Sequence, residues 1–417
     1  MVRKGALIFL AILMATVLSM GALAQQVTTI NFWTQTLDSR AAWQPMAEVI
    51  AEFEKANPDI KVKVEHIPFA QFDSKLIVAA EAGSPPDISD INWMNAKPWA
   101  QAGYLEPLDD YIAQSDVVSR EMYYEAALVG EHDGQLYTLP QGTGTYMMFY
   151  NKDLFEKHGV AIPQDWNELV EAIRKLYNPP HYYGLVRGFG DALYVFDDFV
   201  NFVVQNDGYI TDEAVTRART DEPAFVDAFT FYVELVTKHN AAPPGYMEVA
   251  SAQAHTLFAQ EKAAMLVSGP WARGMLATEN PDLNWGIFRI PGPEPGKYGA
   301  VVGGWQFGIW KGSKNKEAAW RFLEFISRPE NAAKWASQLN LPWVKEARNY
   351  PPFSTDSFLG EFAEMLAYTR FHMPASPKIP EIAEAIHIEL QMALLGMKTP
   401  KQATDALTQR INQILSN

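Results

Sequence analysis

The sequence predicts an α/β protein built in two lobes, and three observations lead there. Near the N-terminus, apolar runs with the period of strands alternate with amphipathic stretches of helical period. The chain has 417 residues, 48% of them hydrophobic, enough for two or three domains but readable as one compact fold of two lobes. Two Pro- and Gly-rich stretches, at 139–144 and 291–296, stand where a chain would cross between lobes.

The elements follow in order. Residues 28–33 read as a strand, and 41–56 as a helix whose Trp43, Met46, Val49, Ile50 and Phe53 fall on one face before Asn57 and Pro58 stop it. Residues 61–67 alternate polar and apolar as a strand does, 69–82 read as helix, and the turn Gly83-Ser84-Pro85-Pro86 leads into a strand at 87–91. Strand, helix, strand, helix, strand implies a mostly parallel sheet wound by right-handed crossovers. A short strand at 136–138 and a longer one at 146–150 bracket the first crossing. Asp165 caps a helix with Glu168 in its first turn, and 263–267 is a buried strand ended by Ser268-Gly269-Pro270-Trp271. After the second crossing come a strand at 307–310 and a helix from Asn315 carrying Trp320, Leu323 and Ile326. Two helices close the chain, about 380–395 and from Thr399, where Thr399, Pro400 and Gln402 form a capping box. The expected division is 25–141 with 291–340 as the N-terminal lobe and 142–290 with 341–417 as the C-terminal lobe.

Residues 1–24 read as a signal peptide: Arg3 and Lys4, an apolar run from Ala6 to Met14, and the small-residue exit Ala22-Leu23-Ala24. The apolar run is shorter than the ~20 residues that span a bilayer, so cleavage and a periplasmic mature protein are expected. With no cysteine in the sequence, the reading holds no disulfide, no thiolate metal site and no lipid-anchor residue. A net charge of −15 without a basic run argues against nucleic acid, whose phosphates require clustered Lys and Arg.

Enzyme templates find no support. The eight histidines form no H-E-x-x-H, and no G-x-S-x-G, phosphate loop or G-x-G-x-x-G occurs, so no metal, cofactor or catalytic residue is expected. Two carboxylates for glycoside hydrolysis could be drawn from any of 49 acids, which discriminates nothing. Four tryptophans are more informative. Trp33, Trp93, Trp271 and Trp305 each stand at a strand end or beside glycines, where open α/β sheets bind ligands. Flat rings suit the C–H faces of a sugar, and Gln35, Asp38, Asp90, Asn92, Asn95 and Gln306 offer hydroxyl partners.

These residues sit among further marks: FEKANPDIKV at 53–62, GSPPDI at 83–88, AGYLEPL at 102–108, YNKDLF at 150–155, PQDWNEL at 163–169, FAQEKAAM at 258–265 running into Gly269-Pro270-Trp271, and Gly303-Gly304-Trp305. In this order they resemble the extracellular solute-binding proteins of ABC sugar importers, the family that includes the maltose-binding protein. The resemblance spans nearly all of the mature chain. It implies two α/β lobes, each a mostly parallel sheet flanked by helices, closing over sugar, with permease subunits in the inner membrane as partners and a monomer as the working form. It implies Trp271 as the stacking platform of the second lobe, Trp33, Asn92 and Trp93 on loops of the first, Gly304 and Trp305 facing the cleft, and Phe196 and Asp197 as further contacts. Around Thr143 to Thr145 there is no acidic residue where the maltose-binding protein has one, so the resemblance reaches sugar binding but not maltose itself. A polyol or glycerol-phosphate ligand on the same fold is the near alternative, its phosphate calling for Arg40, Arg273 or Arg348, and a secreted glycoside hydrolase the distant one.

Overall fold

The computed structural model describes residues 27–36, 43–124, 127–190, 192–301, 303–337, 341–365, 368–369 and 376–416. The signal segment, Asp38 and Arg40 lie outside the described residues. In order, the chain forms β1 (Thr28–Thr34), α1 (Trp43–Ala56), β2 (Ile60–His66), α2 (Phe69–Glu81), β3 (Ile88–Asn92), α3 (Trp93–Gln101), α4 (Asp109–Gln114), the hairpin β4 (Glu131–His132) and β5 (Gln135–Leu136), β6 (Thr138–Gly144) and β7 (Met147–Asn151). There follow α5 (Lys152–His158), α6 (Trp166–Lys175), α7 (Ala192–Gln205), α8 (Pro223–Thr237), α9 (Ser251–Ala259), β8 (Met265–Ser268), α10 (Ala272–Glu279) and β9 (Trp285–Phe288). The last elements are β10 (Gly303–Ile309), α11 (Lys316–Ile326), α12 (Pro329–Ala336), α13 (Ser357–Met365), α14 (Ile379–Leu394) and α15 (Pro400–Ser416).

The first sheet has the order β2-β1-β3-β10-β6. β1 pairs in parallel with β2 and β3, as the strand–helix alternation predicts, and its alternate residues pack two layers of helix. Ile30 and Phe32 point to α1, α11 and α12, where the Phe32 ring meets Phe322 at 6.1 Å and Trp335 at 5.9 Å. Trp33 points to the opposite layer, against the α2 and α3 core of Phe72, Leu76, Ala96 and Trp99. Each such buried ring contributes about 1.5–3 kcal/mol, so the alternation fixes which face of the strand meets which layer.

The second sheet, β8-β7-β9, corrects one expectation. Both pairings of β7 are antiparallel, and among the described residues the parallel pairing beside it comes from isolated bridges such as Tyr183 to Ala263 and Val186 to Leu266. A fully buried strand reads as the same apolar run in either direction, so the pattern carries no orientation. Likewise β10 enters the first sheet antiparallel to both β3 and β6. The stretch at 139–144, expected to be a loop-like crossing, is the buried strand β6. It tolerates Pro140 because it is an edge strand and because the ladder with β10 slips at Trp305 and Gln306, where the missing N–H costs nothing.

The chain passes between sheets after Gly144, with only Thr145 and Tyr146 before β7, and again between β9 and β10. A third segment touches the first crossing, since Thr143 and Leu341 exchange backbone hydrogen bonds of 3.2 and 2.8 Å. The second sheet packs with α6, α7, α8, α14 and α15 around a core rich in Phe and Val. The predicted caps are in place: Glu168 N–H donates to Asp165 at 2.9 Å, and Thr399 and Gln402 bond reciprocally at 3.0 and 3.3 Å.

Candidate ligand-binding cleft

The carboxyl ends of β1, β3 and β6 are tied by one side chain. Asp90, 0% exposed, accepts from the Thr34 hydroxyl at 2.7 Å, from Gln35 N–H at 3.0 Å and from the Gln141 amide. Burial outweighs these donors and pushes its carboxyl up to about 7. Asp90 therefore ties Gln35 and Gln141 to β3, with its carboxyl buried beneath them. Gln306 is also buried, accepting from the Thr138 hydroxyl at 3.3 Å.

Asn92 and Trp93, expected on a loop, are the last residue of β3 and the first of α3. The Asn92 side-chain oxygen caps α3 by accepting from Met94 N–H at 3.1 Å, which uses its acceptor. Trp93 is 7% exposed and joins, with Met94, the core that otherwise belongs to the second sheet, so it links the two lobes at this face. Its indole nitrogen lies over Gly303, where a Cβ would stand 3.2 Å away. Gly304 takes φ +145°, and a Cβ there would fall 2.0 Å from the Gly142 carbonyl, so this position serves backbone approach. Trp305, opposite Asn92 in the ladder, is half-buried, with Phe69 and Phe72 of α2 edge-on at 6.1 and 5.9 Å. Trp33 is half-buried with the Lys75 ammonium 5.0 Å over its ring, which leaves less of that face for a ligand.

On the second-lobe side, Ser268 ends β8, Gly269 and Pro270 turn the chain, and half-buried Trp271 stands at the N-cap of α10. Its ring lies over Gly269 and Gly144, where added Cβ atoms would stand 2.0 and 3.3 Å away, and it meets Tyr146 edge-on at 5.4 Å. Tyr146 donates its hydroxyl to Asp197 at 2.9 Å. The other Asp197 oxygen is buried with no hydrogen-bond partner among the described residues. Burial pushes this carboxyl up to about 7, with neighbouring Asp198 adding to the rise and the Tyr146 hydroxyl opposing it. Phe196, expected beside it as a contact, is 0% exposed in the second-lobe core, because consecutive residues of a helix face different sides.

The structure thus gathers Trp93, Gly304 and Trp305 on one side of the crossings and Trp271 with Asp197 on the other. Gln35 joins them through Asp90, while Phe196 turns away. Two residues were missed as site candidates. The sequence reading places Tyr146 only at the start of a strand, although its position directly after Gly144 and Thr145 marks it at a crossing. Asp73 lies on the α2 face that carries Phe69 and Phe72; it accepts from Asn95 at 2.7 Å, leaves its second oxygen buried without a partner among the described residues, and is pushed up to about 6 by burial.

These shifts carry a pH prediction. A carboxyl whose folded value lies above its unfolded one holds its proton more tightly when folded. Its contribution is full below the unfolded value, near 3.8, and is lost as pH rises through the folded one, about 6 for Asp73 and about 7 for Asp90 and Asp197. The ligand-free protein is expected to melt at higher temperature at pH 5 than at pH 8, and Asp197→Asn to flatten that slope. A melting temperature that rises steadily from pH 5 to pH 8 would contradict it.

Half-buried indoles and a carboxyl with one oxygen unpartnered among the described residues, gathered where the chain crosses between two α/β sheets, form the candidate site of a solute-binding protein. Residues 36–333 match the bacterial extracellular solute-binding protein family, and the chain belongs to it. It is 28% identical over 373 residues to the maltotriose-binding protein of Pyrococcus abyssi, covering 87% of this chain and 75% of that one. It is 24% identical over 428 residues to the sn-glycerol-3-phosphate-binding periplasmic protein of Escherichia coli, covering 95% of each. Among solved structures, an ABC transporter solute-binding protein from Thermotoga lettingae bound with α-D-tagatose superposes with a TM-score of 0.83 at 25% identity, covering 93% of this chain and 100% of that one.

Proposed function

We propose that this chain is the substrate-binding component of an ABC importer, capturing a sugar of two or more units between its lobes and delivering it unaltered to permease subunits in the inner membrane. The observation that carries this reading is the half-buried Trp271 ring set edge-on to Tyr146, whose hydroxyl holds Asp197. A stacking face and a hydroxyl acceptor thus stand side by side, as a sugar ring with its equatorial hydroxyls requires. The protein acts as a binder and not an enzyme, works as a monomer, and reaches the periplasm through a cleaved signal peptide. The lobes divide as 25–141 with 291–340 and 142–290 with 341–417, a division supported by β10 joining the first sheet and β9 the second.

The glycerol-phosphate alternative draws support from the Escherichia coli relative. Against it, Arg273 is paired with Asp356 and also donates to the Ser337 carbonyl at 3.4 Å, and Arg348 is exposed on a turn of 3-10 helix. A thermal-shift panel of maltose, maltotriose, galacto-oligosaccharides, tagatose, ribitol and sn-glycerol 3-phosphate decides between them, since a ligand bound only by the native state raises its melting temperature. An oligosaccharide is expected to give the largest shift and to be recovered intact after prolonged incubation. A shift from the phosphate alone, or hydrolysis of the sugar that vanishes when one carboxylate is changed, would overturn the reading.

A further inference from the structure

Helix α7 is apolar along most of its length, yet Asp197, Asn201 and Gln205 recur every four residues and so form one stripe on one face. Each member bonds a segment that carries the chain between the sheets. Asp197 accepts from Tyr146 in the first crossing. Asn201 accepts from Val301 N–H at 3.0 Å in the second. Gln205 donates through one amide nitrogen to the Gly299 carbonyl at 3.0 Å and the Ile290 carbonyl at 3.3 Å, the two ends of that same segment. Gly299 lets the segment lie directly on the helix, since a Cβ there would stand 3.3 Å from the Gln205 backbone. Asn201 and Gln205 are 0% and 1% exposed, where a polar side chain is costly unless it is bonded, and leucine or valine would pack as well. The next residue, Asp198, turns into the lobe core to meet Arg187 and takes no part.

We infer that Asn201 and Gln205 are positioning residues: with Asp197 they clamp both crossings to the second lobe, so that lobe movement bends the chain on the first-lobe side of the clamp. There the ladder between β6 and β10 sets Gly303 opposite Gly144 and Gly304 opposite Thr143, so that three of the four positions are glycine and their backbone is free to change conformation. The inference requires two lobes that move and is independent of which ligand they hold.

The test exploits the absence of cysteine, which lets one spin label be placed on each lobe, through Ser74→Cys on α2 and Lys175→Cys on α6, both exposed. Pulsed electron resonance then gives the interlobe distance distribution of the ligand-free protein. Adding Asn201→Leu or Gln205→Met is expected to widen that distribution roughly twofold, as freed crossings add a second site of bending. Val200→Ala, a core truncation on the same helix, is expected to lower the melting temperature and leave the width unchanged. Unchanged widths in the two stripe variants, or equal widening in Val200→Ala, would overturn the inference. Should the stripe variants fail to fold, hydrogen exchange of the unsubstituted protein decides: the Val301 amide is expected to exchange only with global unfolding, and the Thr143 and Leu341 amides sooner, by local opening. A Val301 amide exchanging as fast as that of Thr143 would overturn it equally.

Discussion

Changing Trp271 to Ala is expected to weaken ligand binding about tenfold or more, the loss of roughly 1–3 kcal/mol that ring stacking supplies by analogy with base-on-aromatic contacts. The structure adds a second consequence. A ring presented only to ligand would leave the ligand-free melt unchanged, but Trp271 packs against both core clusters and covers Gly269 and Gly144. Removal of a fully buried Trp costs about 3–5 kcal/mol, so this half-buried one is expected to cost roughly half of that. Trp271→Phe should restore most of both losses. Calorimetric titration with the sugar giving the largest thermal shift, run beside a ligand-free melt, reads the two effects separately. Unchanged affinity with a large loss of stability would return Trp271 to a purely structural role.

The largest effect on stability is expected at Arg187. It and Asp198 are each 2% exposed and bonded at 3.1 Å, with the Tyr232 hydroxyl donating to the same carboxylate oxygen at 2.7 Å and the guanidinium 4.2 Å over the Tyr232 ring. Burial raises the Asp198 carboxyl, while Arg187 and the Tyr232 hydroxyl hold the rise in check. Arg187→Met leaves that carboxyl without its cation and is expected to cost about 3–5 kcal/mol. Arg187→Met with Asp198→Leu should recover most of it, because an apolar pair of similar volume escapes the cost of desolvating charge. The sign with pH follows: a carboxyl raised further by loss of its cation favours folding when protonated, and that favour is lost as pH rises through the raised value. The single variant is therefore expected to melt closer to the parent at pH 5 than at pH 8. Equal losses in single and double variants, at either pH, would show that packing and not charge burial governs this site.

Much of this protein is written in local sequence. The apolar face of α1, the stop at Asn57 and Pro58, the cap at Asp165 and the capping box at Thr399 depend on residues within a few positions of each other, and the structure keeps all of them. The aromatic ring at Trp271 was legible for the same reason, because Gly269 and Pro270 must turn the chain after a buried strand. Strand direction was not legible. The buried apolar run of β7 reads the same in parallel and antiparallel pairing, and β10, only its second half buried, gives no more direction; only the path of the chain between the sheets decided both. The exposures of Phe196 and Asp197 were likewise beyond the sequence, since their contrast depends on which side of α7 meets the core.

By itself, the sequence determined the strands and helices of the first βαβαβ run, several caps, the two-lobed α/β class and the indole of Trp271 at the end of a buried strand, because these follow from periodicity, turn chemistry and neighbouring residues. Tertiary structure alone decided which carboxyls are fully engaged by the frame and which keep an oxygen without a partner among the described residues. Asp90 and Asp197 are the same residue type with folded values both about 7. Three donors from β1, β6 and the turn after β1 engage Asp90, whereas Asp197 has one oxygen on Tyr146 and one with no partner among the described residues. The difference lies in which donors distant parts of the chain bring within about 3 Å, a distance set by packing and not by any residue's neighbours in sequence.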